Sequence, residues 1–136
     1  MVLKQVTWKN FMDEFGNVDS IWMDSIKEVI DIIINAKMYC ILNIHHDGRY
    51  GNWLTKGMES KEIYINLWTQ IANAFKDYDD HLILESMNEL YYTDKITHNY
   101  DYTELLNLNQ IFIDTIRNSE KYNKQRLLLI AGDMMI

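Results

Sequence analysis

Proline is missing from all 136 residues, cysteine occurs once, and no apolar run approaches the ~20 residues a membrane-spanning helix needs. The last of these absences excludes a helical membrane anchor within these residues. The single Cys40 excludes an internal disulfide, and its apolar neighbours mark it as a packing residue. Average proline usage of ~5% would supply several, and nothing in the sequence gives a physical reason for their absence. No charged-then-apolar leader opens the chain, so no signal peptide is expected in it. Positive charge is also scarce, with 13 Lys and Arg against 20 Asp and Glu and a net charge of -7. That balance repels phosphate backbones and anionic lipid surfaces. The expected partners therefore include no nucleic acid and no membrane, and neutral ligands such as sugars remain.

What is present fits one soluble core. The chain is 48% hydrophobic and 24% charged, and at this length it buries roughly two-thirds of its unfolded surface. The stretch Met1 to Trp8 contains Val6-Thr7-Trp8, which favours extended structure. Gly16-Asn17 marks a turn in the loop that follows. Asp19 is a candidate N-cap for a helix from about Ser20 to Lys37, whose Ile21, Trp22, Ile26, Val29, Ile30, Ile33 and Ile34 recur at helical spacing. A strand is expected over Tyr39 to His45, then a loop from Asp47 to Lys56. The spacing predicts a second helix over Lys61 to Lys76, with Ile63, Leu67, Trp68, Ile71, Ala72 and Phe75 inward. A second apolar strand begins near Leu82. Thr103 is a candidate N-cap for a third helix carrying Leu105, Leu106, Leu108, Ile111, Phe112, Thr115 and Ile116, and Leu127 to Gly132 reads as a last strand.

The strands are almost continuously apolar and separated by a loop and a helix each, as in a parallel sheet covered by helices. Periodicity alone does not distinguish a barrel from an open doubly wound sheet. The loops that follow the strands carry no Gly-rich fingerprint or phosphate loop, which argues against nucleotide binding. No cofactor is expected.

Two strands end in ionisable residues: one at His45-His46-Asp47, the other at Asn88-Glu89. Alternation places Ile41, Asn43 and His45 on one face, and Cys40, Leu42, Ile44 and His46 on the other. The histidines could cap the ladder, line a site, or join Asp47 and Glu89 around zinc. No helical metalloprotease spacing accompanies them and adjacent strand residues point apart, so a metal is not expected. Glu85 shares a face with Met87 and Glu89, and buried there it requires a cationic or hydrogen-bonding partner. Glu89 is either a solvated loop residue or, with its pKa raised by burial, a general acid. Trp8, Tyr50, Trp53, Tyr91 and Tyr92 follow the strand ends, where they serve either as packing or as stacking surfaces for sugar rings. Trp22 and Trp68, on helix stripes, are core.

Taken together, Val6-Thr7-Trp8, Tyr39 to Asp47, Trp68 to Tyr78, Leu82 to Glu89, Asn109-Gln110 and Leu128 to Gly132 resemble the cellulases of glycoside hydrolase family 5. The resemblance implies an α/β fold, a (β/α)8 TIM barrel present in part, running from the tail of the second strand through the fifth. It also implies a retaining double displacement on β-1,4-glucans or related mannans, in which two carboxyl groups act at the anomeric carbon. By this resemblance Glu89 is the acid/base and Asn88 bonds the hydroxyl next to the reacting carbon. His45 lines the site beneath the glycone sugar, His46 contacts substrate, and Trp8 and Trp53 are stacking residues. The implied partner is a β-glucan polysaccharide or oligosaccharide, and the family's usual location is extracellular.

Departures from the family pattern carry expectations of their own. The family nucleophile is a glutamate on the seventh strand, beyond Ile136, and a complete barrel of this type needs ~250 residues. Leu3-Lys4-Gln5 stand where the family usually has Arg-Ile-Pro, so Glu85 is expected to lack an arginine partner. Leu90 replaces a proline after Glu89. The 136-residue chain is therefore expected to be marginally stable, to self-associate through unpaired strand edges, and to show no turnover. The rival reading is a saccharide-binding or assembly half-barrel without chemistry.

Overall fold

In the computed structural model, residues 1–48, 53–88 and 102–132 are described. Four strands form one parallel sheet in the order β1-β2-β3-β4, where β1 is Val2–Lys4, β2 Cys40–Asn43, β3 Leu82–Glu85 and β4 Leu128–Leu129. Leu3, Ile41 and Ile83 lie side by side across it, as do Asn43, Glu85 and Leu129. Between the strands run α1 (Ser20–Asn35), α2 (Lys61–Phe75) and α3 (Tyr102–Arg117). This is the βαβ alternation of a partial (β/α)8 barrel.

Each crossover helix buries one stripe on one face of the sheet. Asp19 caps α1, its carboxylate accepting from Ile21 N–H at 2.8 Å and Trp22 N–H at 3.1 Å. The inward stripe of α1 is Met23, Ile26, Ile30 and Ile33. In α2 it is Tyr64, Leu67, Trp68, Ile71, Ala72 and Phe75. These meet Cys40, Leu42, Ile44, Leu82 and Leu84 in one core, and the Trp68 and Phe112 rings pack edge to face at 4.5 Å. Cys40 is fully buried there, and that burial pushes its thiol up to about 11, with Lys4 opposing. Ile41 and Ile83 sit on the opposite face, so the strands sort their side chains by parity as expected.

Several expectations are corrected. The first strand lies at Val2–Lys4, earlier than Val6-Thr7-Trp8, and Trp8 instead leads into a 3-10 turn at Lys9–Phe11. Trp53 to Lys56, expected as loop, open a 3-10 stretch over Trp53–Ser60. Ile21 and Val29 are exposed on α1, and Leu106 is exposed on α3; a stripe centred on Ile26 and Ile30 turns the two α1 positions outward. Thr103 lies inside α3, one residue after its start and not before it, a place a β-branched residue tolerates because no full turn precedes it. The last strand is two residues long because Ile130 is already exposed and Ala131 turns its N–H to Ser86 Oγ and Asn109 Oδ1. Among the described residues no helix is long and apolar enough to cross a membrane.

Candidate active site

Backbone pairing runs on past the regular strands at their carboxyl ends. His45 N–H donates to the Val6 carbonyl at 2.8 Å, Asn88 N–H to Ile44 at 2.7 Å, and Ser86 N–H to Leu129 at 2.9 Å. The two polar strand ends are thereby held adjacent on one rim, and His45 and Asn88 belong to the same end of the sheet. Just beneath, Asn43 Nδ2 donates to Glu85 Oε2 at 2.7 Å and lies 3.3 Å from His45 Nδ1. Glu85 thus has the side-chain amide of Asn43 as its hydrogen-bonding partner, in the place where the family arginine is absent. The Asn43 Oδ1 is buried without a partner. His45 and His46 are half-buried, their rings edge to face at 4.5 Å.

Asp47 ties the rim together. Its carboxylate is fully buried. Oδ2 accepts from Trp8 N–H at 3.0 Å, while Oδ1 accepts from Lys9 N–H at 2.7 Å and from Trp53 Nε1–H at 2.9 Å. One residue therefore links the segment after β1, the end of β2 and the start of the 3-10 stretch before α2. From sequence, Asp47 enters as part of the His-His-Asp strand end and as a possible metal ligand, with no bonding role at the rim. The available signal was its place directly after a strand, among aromatic loops that offer N–H donors.

A second knot sits at the end of β3. Buried Ser86 donates to Asn109 Oδ1 at 2.7 Å, and Asn109 Nδ2 donates to the Ala131 carbonyl at 2.8 Å. Tyr64 Oη donates to the Ser86 carbonyl at 3.2 Å. The residues leading to Asn88 are thus anchored to α2, α3 and β4.

Of the residues singled out from sequence, His45, His46, Asn88 and Trp53 come together at this rim or border it. Trp8 does not present a surface there. It is wholly buried in the core, and its Nε1 donates to the Asn43 carbonyl at 3.2 Å. A stacking residue must expose a ring face, so Trp8 is corrected to part of the floor. Trp53 is half-buried, with its ring 6.4 Å from that of Tyr64. Glu89, Leu90, Tyr50, Tyr91 and Tyr92 lie outside the described residues. Asp79, Asp80 and His81 also cluster closely, but just before Leu82, at the opposite end of β3 from Asn88.

A parallel α/β sheet with helices on one face and its polar residues gathered at the carboxyl rim defines a segment of a (β/α)8 barrel whose site lies at that rim. The model of the family described as Cellulase (glycosyl hydrolase family 5) matches residues 1–134, and the chain belongs to that family. It is 34% identical over 137 residues to Endoglucanase A of Paenibacillus barcinonensis, covering 93% of this chain and 34% of that protein. Among solved structures it is similar to a GH5-4 broad specificity endoglucanase from an uncultured bovine rumen ciliate. There the TM-score is 0.91 at 55% identity, over 96% of this chain and 36% of the other. A glycoside hydrolase family 5 enzyme from Prevotella bryantii, solved with a xyloglucan tetradecasaccharide, gives 0.85 at 37% identity, over 93% and 39%. The chain spans about a third of the length of these relatives.

Proposed function

We propose that this chain forms the acid/base side of a site that hydrolyses β-1,4-linked glucans by a retaining double displacement. In this reading Glu89 protonates the glycosidic oxygen as the bond to the anomeric carbon breaks, then takes a proton from the water that releases the sugar. The attacking carboxylate comes from a later strand of the family's barrel, outside these 136 residues. Asn88 bonds the hydroxyl beside the reacting carbon, and His45 and His46 line the glycone side. Trp53 offers an apolar ring face to a sugar. Trp8 supports the floor.

The observation that carries the reading is the 2.7 Å bond from Asn88 N–H to the Ile44 carbonyl. It sets the residue that precedes Glu89 next to the His45-His46 pair, where a parallel barrel presents its catalytic groups. The family membership and the saccharide bound by the Prevotella enzyme agree with it. Extracellular action on a β-glucan is part of the same proposal.

Titration of the 136-residue chain with cellotetraose, followed by tryptophan emission, tests it. Saturable quenching is expected, without release of reducing sugar and unchanged by Glu89→Gln. No saturable response would overturn the saccharide reading. Sugar release that Glu89→Gln abolishes would overturn the placement of the attacking carboxylate outside these residues.

A further inference from the structure

We propose that Asp47 is the positioning residue that sets where the Trp53 ring stands against the saccharide. The inference rests on the reading of this rim as a sugar cleft, and it concerns a residue to which that reading gives no role.

All three groups around the Asp47 carboxylate are N–H groups: the backbone of Trp8 at 3.0 Å, the backbone of Lys9 at 2.7 Å and the Trp53 indole at 2.9 Å. A carboxylate is acceptor-only and can serve all of them, whereas an amide must turn a donor toward one. The carboxylate is fully buried, so leaving it or its partners unpaired is costly, and its geometry is fixed by the two backbone bonds. Those bonds reference Asp47 to the chain immediately after β1. The third bond passes that reference to the indole. Of the two tryptophans in this set of contacts, Trp53 is half-buried while Trp8, like Asp47, is sealed. A flat ring with one hydrogen bond at its edge pivots about that bond. The Trp53 ring also packs against the core, with the Tyr64 ring tilted to it at 6.4 Å, and the Ser60 hydroxyl donates to the Trp53 backbone carbonyl. Among the described residues Asp47 is therefore the hydrogen-bond partner of the indole N–H, and it is sealed from solvent.

Removing the tether is expected to weaken ligand binding through loss of ring placement, with the acid/base carboxyl untouched. Asp47→Ala, read by cellotetraose titration, is expected to weaken affinity about tenfold, the scale of one charge-assisted hydrogen bond. In the Trp53→Phe background the same substitution is expected to change affinity less than about twofold, because the residue through which it acts has lost its N–H. The near-ultraviolet circular dichroism of Asp47→Ala should lose the contribution identified as the difference between parent and Trp53→Phe. An equal loss of affinity in both backgrounds, or a retained Trp53 signature, overturns the proposal.

If Asp47→Ala does not fold, the unmodified chain still decides. Its Trp53 indole N–H, assigned by its disappearance in Trp53→Phe, should exchange with solvent at least about tenfold more slowly than free indole. Free-indole exchange there overturns the tether. If the parent binds no cellotetraose, the sugar-cleft reading fails, while the dichroism and exchange results separately support or overturn the placement of Trp53 by Asp47.

Discussion

Arg126 shows how much one side chain can hold. It is 2% exposed, and its five N–H groups reach Asn123 Oδ1 and the carbonyls of Asp79, Leu82, Phe75 and Tyr78 at 2.6 to 3.0 Å. It thereby satisfies the end of α2, the turn into β3 and the first residue of β3, a task the rigid planar fork suits better than an ammonium. Burial pulls its pKa down to about 10, partly offset by Asp79. Arg126→Met leaves those acceptors unpaired at about 1–3 kcal/mol each before relaxation. A net loss of at least about 3 kcal/mol is expected in urea unfolding, out of a total of about 5–15 kcal/mol for a domain, and Arg126→Lys should recover less than half of it. Nearby, the His81 backbone N–H holds the Asp79 carboxyl below its usual value, with the His81 ring and Arg126 adding to the effect and burial opposing it. A carboxyl depressed in the folded state contributes stability above its unfolded value and loses it as pH falls through the folded one. Stability measured from pH 5 to 2 should therefore fall, and fall less steeply in Asp79→Asn.

At the scale of elements, the segment between β1 and α1 is built as a tethered turn. Asp13 accepts from Phe15 N–H, Asn17 N–H and Asn17 Nδ2–H at 2.7 to 2.9 Å. From α2, Gln70 donates to the Gly16 carbonyl at 2.7 Å and accepts from Val18 N–H at 2.9 Å. Gly16 has φ +84, and a Cβ there would stand 2.9 Å from the Ile63 carbonyl oxygen. Backbone conformation and close approach to α2 both require glycine. Gly16→Ala is expected to cost more than about 1 kcal/mol, seen as a lower unfolding midpoint with unchanged helical circular dichroism. An unchanged midpoint would show that the turn and α2 separate at little cost. The same element carries the exposed Phe11 ring stacked on Trp22 at 3.7 Å, which explains why Trp22, expected in the core, sits at its margin.

For the molecule as a whole, the two faces of the sheet are unequal. Helices cover one. On the other, Leu3 is 45% exposed while its neighbours Ile41 and Ile83 are 9% and 6%. Leu127, just before β4, is 58% exposed. Among the described residues β1 pairs only with β2 and β4 only with β3, so each offers a free edge. Apolar surface beside an open edge favours association. Sedimentation velocity on the 136-residue chain is expected to show concentration-dependent dimers or larger species, reduced toward monomer by Leu3→Lys combined with Leu127→Lys. A monomer across the whole concentration range would count against an adhesive inner face.

The sequence alone determined the alternation of strand and helix, the parity of β2 and β3, the Asp19 cap and the two polar strand ends. All of these follow from local periodicity or from side chains bonding their own neighbours. It did not determine which turns of α1 face inward, and so placed Ile21 and Val29 in the core and passed over Met23. That choice depends on how the helix rotates against the sheet. Tertiary structure alone decided that Asn43 answers Glu85, that Trp8 is floor, that Arg126 closes the base, and that Asp47 joins three segments at the rim. Apart from the Asp47–Trp53 and Arg126–Asn123 bonds, these contacts pair residues far apart in the chain, and a hydrogen bond between a buried acceptor and a distant donor leaves no spacing for a sequence to display.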